Sequence, residues 1–292
     1  MHEVLFAPSR GAYVGKQKPI SECLLCAIRD KDTRVWTRLV YQDKHIIVLM
    51  NIFPYSPGHL QVVPTTHVKE LEELSKQELE YFLDFTQKAT KFVKNLMAPQ
   101  GFNIGINLGK AGGASIEHLH AQIVPRYKGK PSYEDQAAIH KLYLDNVNLL
   151  KESYRSKGLK SACKCPTPKY ILKRNPTVYL HPNPYNRGHV VIQSEKHVEF
   201  ENIDLSEFLK IFVTTIELKK VIEEIYSPAG FNLGMNIGEV PNSSEHLQLH
   251  LVPRYVPESG FMEVIGNTRV IIESLEQTYE KIKKILSSWR AF

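Results

Sequence analysis

The chain reads as an α+β protein built from two tandem copies of one unit, each an antiparallel sheet with a helix on one face. The first observation behind this is a repeat. His118–Tyr127 reads HLHAQIVPRY and His246–Tyr255 reads HLQLHLVPRY, sharing His-Leu at one end and Val-Pro-Arg-Tyr at the other. Upstream, Gly101–Asn107 (GFNIGIN) answers to Gly230–Asn236 (GFNLGMN), and Pro54–His59 (PYSPGH) to Pro184–His189 (PYNRGH). Matches in one order along both halves indicate a tandem duplication. The second observation is periodicity, since His118, His120 and Gln122 alternate with Leu119, Ala121 and Ile123. In a strand, alternate positions share a face, so two imidazoles and a carboxamide project together while the apolar set packs inward.

Taken in order, apolar runs at Arg38–Tyr41, His45–Met50 and His59–Val63, with the turn signal Ser56-Pro57-Gly58, predict adjacent antiparallel strands. Ser75-Lys76-Gln77-Glu78 has the form of a capping box, and Leu79, Phe82, Leu83, Thr86, Val93 and Leu96 form a stripe that predicts a helix up to Pro99. A strand at Phe102–Asn107, the Gly-rich loop Gly109–Ser115 and the histidine strand complete the unit. Its counterpart has strands at Tyr170–Lys173, Thr177–Leu180 and His189–Gln193, a helix from Asp204 to Tyr226, and strands at Phe231–Asn236 and His246–Pro253. Between the halves a helix is expected over Tyr133–Tyr154, opened by Pro131-Ser132, followed by a polar linker at Ser156–Ser161. A last amphipathic helix is expected from Val270 to Trp289. The expected division is 1–130, a linking segment 131–160, and 161–292.

At 292 residues, 42% hydrophobic and 23% charged, each half can bury a core of its own. No run of apolar residues is long enough to span a membrane, and Met1-His2-Glu3-Val4 lacks the order of a signal peptide, so a cytoplasmic location is expected. The net charge of +6 is spread along the chain, and clusters such as Lys281, Lys283 and Lys284 read as a solvated helix face. Neither nucleic acid nor a membrane is expected as a partner. Four cysteines in two close pairs favour a metal over disulfides in such a chain.

Cys23-Leu24-Leu25-Cys26 has the spacing of a metal knuckle, and tetrahedral zinc would need two further ligands, for which His67 and His118 are candidates. Two buried free cysteines are the competing reading. His120 can serve as general base, metal ligand or nucleophile. The Gly-rich loop before it, Gly113 and Ser115 included, offers backbone N–H groups and a hydroxyl that suit a phosphate. Attack by a neutral imidazole on an α-phosphorus divides one displacement into two. Gln122 can donate an amide N–H to a phosphoryl oxygen but cannot protonate a leaving group, which points to transfer rather than hydrolysis.

These residues resemble the histidine triad superfamily, with its motif His-x-His-x-His or His-x-His-x-Gln. Leu5–Arg10, Cys23–Cys26, Asn51–His59, Gly101–Tyr127 and the ending Gly260–Gly266 are similar to diadenosine polyphosphate phosphorylases of that group. The two-unit plan also resembles galactose-1-phosphate uridylyltransferases. The resemblance implies a nucleotidyltransferase with His120 as nucleophile and Gln122 steadying the intermediate. Asn51 would hold the ribose hydroxyls, while Asn107, Gly113 and Ser115 would contact phosphates. Structural zinc would sit on Cys23, Cys26, His67 and His118. The substrates implied are a dinucleoside polyphosphate or a nucleotide sugar, together with phosphate. Phosphorolysis of diadenosine polyphosphates to ADP and ATP leads; hexose-1-phosphate uridylyltransfer and dinucleotide hydrolysis follow. A nucleotide-binding protein without turnover is the alternative outside enzymes.

The second half departs from the motif, since Gln248 stands at the nucleophile position and His250 at the position of Gln122. This half is expected to be inactive and to replace the partner protomer of single-domain relatives, giving an intrachain pseudo-dimer, as a monomer or in a further homodimer. Cys163, Cys165, His197 and His246 form a possible second metal set, open to zinc or iron. Asn183 and Asn236, aligned with the first half's asparagines, leave open a supporting nucleotide contact.

Overall fold

The computed structural model describes residues 23–129, 135–151, 168–256 and 271–289. Its ten strands are β1 Arg38–Gln42, β2 Ile46–Met50, β3 Leu60–Pro64, β4 Gly101–Leu108, β5 Ala121–Arg126, β6 Ile171–Lys173, β7 Thr177–Leu180, β8 Val190–His197, β9 Gly230–Gly238 and β10 His246–Arg254. All belong to one antiparallel sheet in the order β1-β2-β3-β5-β4-β9-β10-β8-β7-β6. The second five strands repeat the order of the first five in reverse, so the halves meet at the β4–β9 pair. The pairing there is continuous from Gly101↔Gly238 to Leu108↔Phe231 and centres between Gly105↔Gly234 and its neighbours.

Each half lays one long helix on the same face of the sheet. In the first, α2 (Lys76–Met97) starts at the capping box read from the sequence, with Ser75 Oγ accepting from Glu78 N at 3.3 Å. It buries Phe82, Phe85, Phe92 and Val93 and stops at Ala98, whose left-handed backbone (φ 45°) precedes Pro99. In the second, α4 (Leu205–Tyr226) is capped by Asp204, which accepts from Ser206 N at 2.9 Å. Along β4 the alternate residues Phe102, Ile104, Ile106 and Leu108 are buried on this helix side, whereas Asn103, Gly105 and Asn107 are half-buried on the other. A single apolar core runs through both halves. Lys219 of α4 adds a polar tie between them, being 4% exposed and paired with Glu72 at 2.7 Å, Glu70 at 3.2 Å and its own helix's Glu223 at 2.7 Å.

Several boundaries differ from the sequence reading. Regular pairing of the first histidine strand begins only at Ala121, because the His118 carbonyl is taken by the ring of His120 and Leu119 N turns to Val68 O. The connecting helix, α3, is shorter than expected at Gln136–Asp145, since Asp135 caps it by accepting from Ala137 N; a 3-10 turn at Val147–Lys151 follows. The last helix, α5, starts at Leu275 rather than Val270, because Ser274 and Gln277 exchange bonds of 3.2 and 3.0 Å that set the first turn there. Residues 152–167, which include the expected linker and the boundary near 160, lie outside the described residues, as do Leu5–Arg10 and Gly260–Gly266.

Candidate active site

A short helix, α1 (Leu24–Arg29), is held by Leu25 and Ile28 in a small apolar cluster with Ile47, Leu49 and Val63. This fixes Cys23 and Cys26 beside the loop after β3. Cys23, Cys26, His67 and His118 bring one ligand atom each within 4.8 Å of one another. Cys23 Sγ lies 3.4 Å and Cys26 Sγ 3.6 Å from His118 Nδ1, and Cys26 Sγ lies 3.3 Å from His67 Nδ1. A tetrahedral ion bound at about 2.3 Å to sulfur and about 2.0 Å to nitrogen would separate such donors by about 3.6 Å. The four residues therefore fit a tetrahedral metal ion. His118 Nε2–H donates to the Pro64 carbonyl at 2.9 Å, which turns the Nδ1 lone pair toward the cysteines. Burial, then the neighbouring Cys23, pushes the Cys26 thiol up to about 11, a cost that a bound cation would offset.

His120 is 5% exposed, and its Nδ1–H donates to the His118 carbonyl at 2.7 Å. That bond places the proton on Nδ1 and leaves a lone pair on Nε2. Burial lowers the affinity of His120 for a second proton, which keeps the ring neutral and nucleophilic. One position further along the same face stands Gln122, which with Tyr55, Asn103, Gly105, Asn107 and Gly234 lines a cavity of about 370 Å³.

Of the expected phosphate contacts, Gly113 and Ser115 are exposed in the Gly-rich loop, and Asn107 Nδ2 reaches the Gly113 carbonyl at 3.5 Å. Asn51 uses its Oδ1 to accept from Phe53 N at 2.9 Å, a turn bond that leaves its amide nitrogen for another partner. In the second half His181, not Asn183, occupies the place of Asn51. Asn51 N donates to His59 O and His181 N donates to His189 O at the corresponding points of the two turns. The Asn51–Asn183 correspondence is thereby corrected. Asn236 is engaged by Asn103, whose Nδ2 donates to its Oδ1 at 2.8 Å. Gln248, at the position that His120 holds in the first half, is tied into a wall by donating to Tyr179 OH and Gln193 Oε1, both at 3.0 Å.

Of the possible second metal set, Cys163 and Cys165 lie outside the described residues. His197 and His246 do meet, with ring centroids 4.3 Å apart, but the His246 ring is turned relative to His118, bonding Ser194 O through Nδ1 at 3.0 Å.

The asparagines form a network that the repeat contained but that sequence reasoning did not assemble. Arg126 Nη1 donates to Asn103 Oδ1 at 2.6 Å, and Arg254 likewise donates to Asn232 Oδ1. Asn232 Nδ2 in turn donates to Asn107 Oδ1 at 2.8 Å and to the Gly112 carbonyl at 2.6 Å. The spacing of two asparagines around a glycine in both GFNIGIN and GFNLGMN was its only signal.

Comparison with known proteins places this geometry. Residues 33–129 match the family model of the HIT domain. An AP-4-A phosphorylase of Mycobacterium tuberculosis is 46% identical over 96 residues, which are 32% of this chain and 49% of that protein. The chain thus spans about half the length of that curated relative. A HIT-like protein of Methanocaldococcus jannaschii is 32% identical over 130 residues, 44% of this chain and 97% of its own. Among solved structures, an ADP-glucose phosphorylase from Arabidopsis thaliana has a TM-score of 0.63 at 13% identity, covering 94% of this chain and 93% of its own. A uridylyltransferase has a TM-score of 0.62 at 16% identity, covering 85% and 88%. Both are similar in the whole two-domain fold. With a relative matched over nearly its full length and the two histidines of its motif seated as described, the chain belongs to the HIT, or histidine triad, family.

Proposed function

We propose that this protein is a nucleotidyltransferase that cleaves diadenosine polyphosphates by phosphorolysis, with catalysis in residues 1–130 and a supporting role for residues 161–292. The observation that carries the reading is the 2.7 Å bond from His120 Nδ1–H to the His118 carbonyl, which presents Nε2 as a nucleophile. The likeness to an AP-4-A phosphorylase over the same segment supports it. His120 Nε2 attacks the α-phosphorus of the dinucleotide, the α-β bridging P–O bond breaks, and ATP leaves from the tetraphosphate with that bond's electron pair. Phosphate then attacks the adenylyl group, the P–N bond breaks, and ADP leaves as His120 regains its lone pair. Gln122 donates an amide hydrogen to the transferred phosphoryl group, and Asn51 and the Gly-rich loop hold ribose and phosphate. Zinc on Cys23, Cys26, His67 and His118 is structural, fixing the backbone whose carbonyl orients His120.

The test is incubation with α-labelled diadenosine tetraphosphate, with and without phosphate. Acid-labile label on the wild type but not on His120→Ala, with ADP formed only in the presence of phosphate, is the expected result. Labelling by UDP-glucose or ADP-glucose in place of the dinucleotide would transfer the assignment to nucleotide sugars, and no label from any of them would leave a binding protein.

A further inference from the structure

The face of the sheet opposite the helices carries a feature that the chemistry at His120 does not use. Gln122 pairs with Gly105, Gly105 with Gly234, and Gly234 with His250, forming one row across four adjacent strands. Three interstrand spacings put the ends of this row about 14 Å apart. Its floor is two glycines, without side chains. On either side stand the asparagine pairs Asn103–Asn236 and Asn107–Asn232, two residues along the strands. The result is a trough that begins at Gln122 and ends in the second half.

The far end is built as a donor. Tyr185 N donates to His189 Nδ1 at 3.0 Å, so the His189 proton is on Nε2. That nitrogen lies 3.1 Å from His250 Nδ1, which therefore accepts, and the proton of neutral His250 is on Nε2. His181 stacks on His189 at 4.5 Å and stands 5.5 Å from His250, completing a cluster of three imidazoles. The first half has Asn51, His59 and Gln122 at the same places, so this end is not a second copy of the nucleoside site.

We propose that the trough is the leaving-group site of the donor: the phosphates beyond the transferred one run over Gly105 and Gly234 between the asparagine pairs, and their far oxygens accept from His250 Nε2–H. This rests on the adenylyl-transfer reading of His120 and narrows it to donors whose leaving group is a chain of several phosphates. A single phosphoryl group is too short to reach from Gln122 to His250. The second half then selects the substrate by length, although it lacks a nucleophile.

Gly234 allows the test, because a Cβ there would meet its nearest atom, Ile104 O, at 3.7 Å, an ordinary contact. Gly234→Val raises the floor, and His250→Gln removes the terminal imidazole as an independent second variant. Formation of adenylyl-His120 is to be compared for diadenosine tetraphosphate and for adenosine 5′-phosphosulfate, whose leaving group is one small anion. Calorimetry with inorganic tripolyphosphate reads the trough without turnover. Expected is a loss of at least tenfold in kcat/KM for the tetraphosphate relative to the phosphosulfate in either variant, with a similar weakening of tripolyphosphate binding. Equal effects on the two donors in both variants, or unaltered tripolyphosphate binding, would overturn the proposal while wild-type labelling still upheld the transfer reading. Absence of label from either donor on the wild type, with tripolyphosphate binding still sensitive to Gly234→Val, would instead sink the transfer reading and leave a polyphosphate site.

Discussion

Asn232, on a strand of the half that carries Gln248, donates its amide to the Gly112 carbonyl at 2.6 Å, inside the Gly-rich loop of the half that carries His120. Arg254 holds the Asn232 oxygen, which leaves Nδ2 to serve both Gly112 and Asn107. The Gly-rich loop is therefore positioned from across the β4–β9 seam. Replacing Asn232 by Ala removes three hydrogen bonds, to Gly112, Asn107 and Arg254, each contributing about 0.5–1.5 kcal/mol. The rate of His120 labelling should fall about tenfold while the melting temperature changes by only a few degrees. Asn232→Asp should be worse, because a carboxylate oxygen would face two acceptors.

Gly112 is required for a different reason. A Cβ there would come within 2.3 Å of Leu108 O and 2.4 Å of Phe231 O, both backbone atoms that cannot rotate away. Gly112→Ala should displace the loop from the seam, with a cost of about 1–3 kcal/mol in thermal unfolding and a larger loss of labelling than Asn232→Ala. Gly113→Ala has open space for its Cβ, the nearest atom being Asn107 Nδ2 at 3.8 Å, but sits at φ 82° and should show backbone strain alone.

Metal content is a direct check on the Cys23, Cys26, His67 and His118 set. Elemental analysis should find zinc bound to wild type, and Cys26→Ser should contain one equivalent less. A strong chelator should lower the melting temperature by about 5–10 °C, a few kcal/mol for a protein of this size. It should also slow His120 labelling, because the His118 carbonyl that orients His120 is fixed through the same residue.

His250 predicts an acid limit to stability. Burial, and secondarily His181, holds its pKa down to about 4, below the ordinary 6.5 of the unfolded chain. Above pH 6.5 both states are neutral and the residue contributes no pH dependence. As the pH falls from 6.5 toward 4 the unfolded state takes up the proton first, and stability is lost by an amount approaching about 2–3 kcal/mol. Urea unfolding at pH 7 and pH 4.5 should show this difference, and His250→Gln should reduce it.

Much of this was legible in the chain. The capping box at Ser75 and Glu78, the stripe of α2 and the GFN strands were set by local periodicity, and the structure follows them closely. The gathering of Cys23, Cys26, His67 and His118 was legible because the cysteines of a CxxC pair and histidines are residue types that ligate metals together. What escaped depended on pairing between distant segments. Asn103 reads as an ordinary strand residue and Asn107 as a phosphate contact until β4 meets β9, and only that register gives each a partner asparagine, Asn236 and Asn232. Likewise, the late start of β5 followed from a bond between His120 and its own strand, which competes with ladder formation and leaves no mark in hydropathy. Asn183 was misaligned because asparagine occurs near both turns; the hydrogen bonds, not the residue type, fix the correspondence.

The two halves also touch too closely to slide. At one end of the seam a Cβ on Gly101 would fall 2.3 Å from Ile237 O, and at the other a Cβ on Gly230 would fall 2.5 Å from Leu108 O. Shifting either strand along the other would bring a residue with a side chain into a gap that admits none, and a slip by one position would also turn the asparagines into the core. The seam thus behaves as a gauge block: the interval between Gln122 and His250 is set by backbone dimensions alone, and a molecule lying across both halves is measured against a length that thermal motion of the side chains cannot alter.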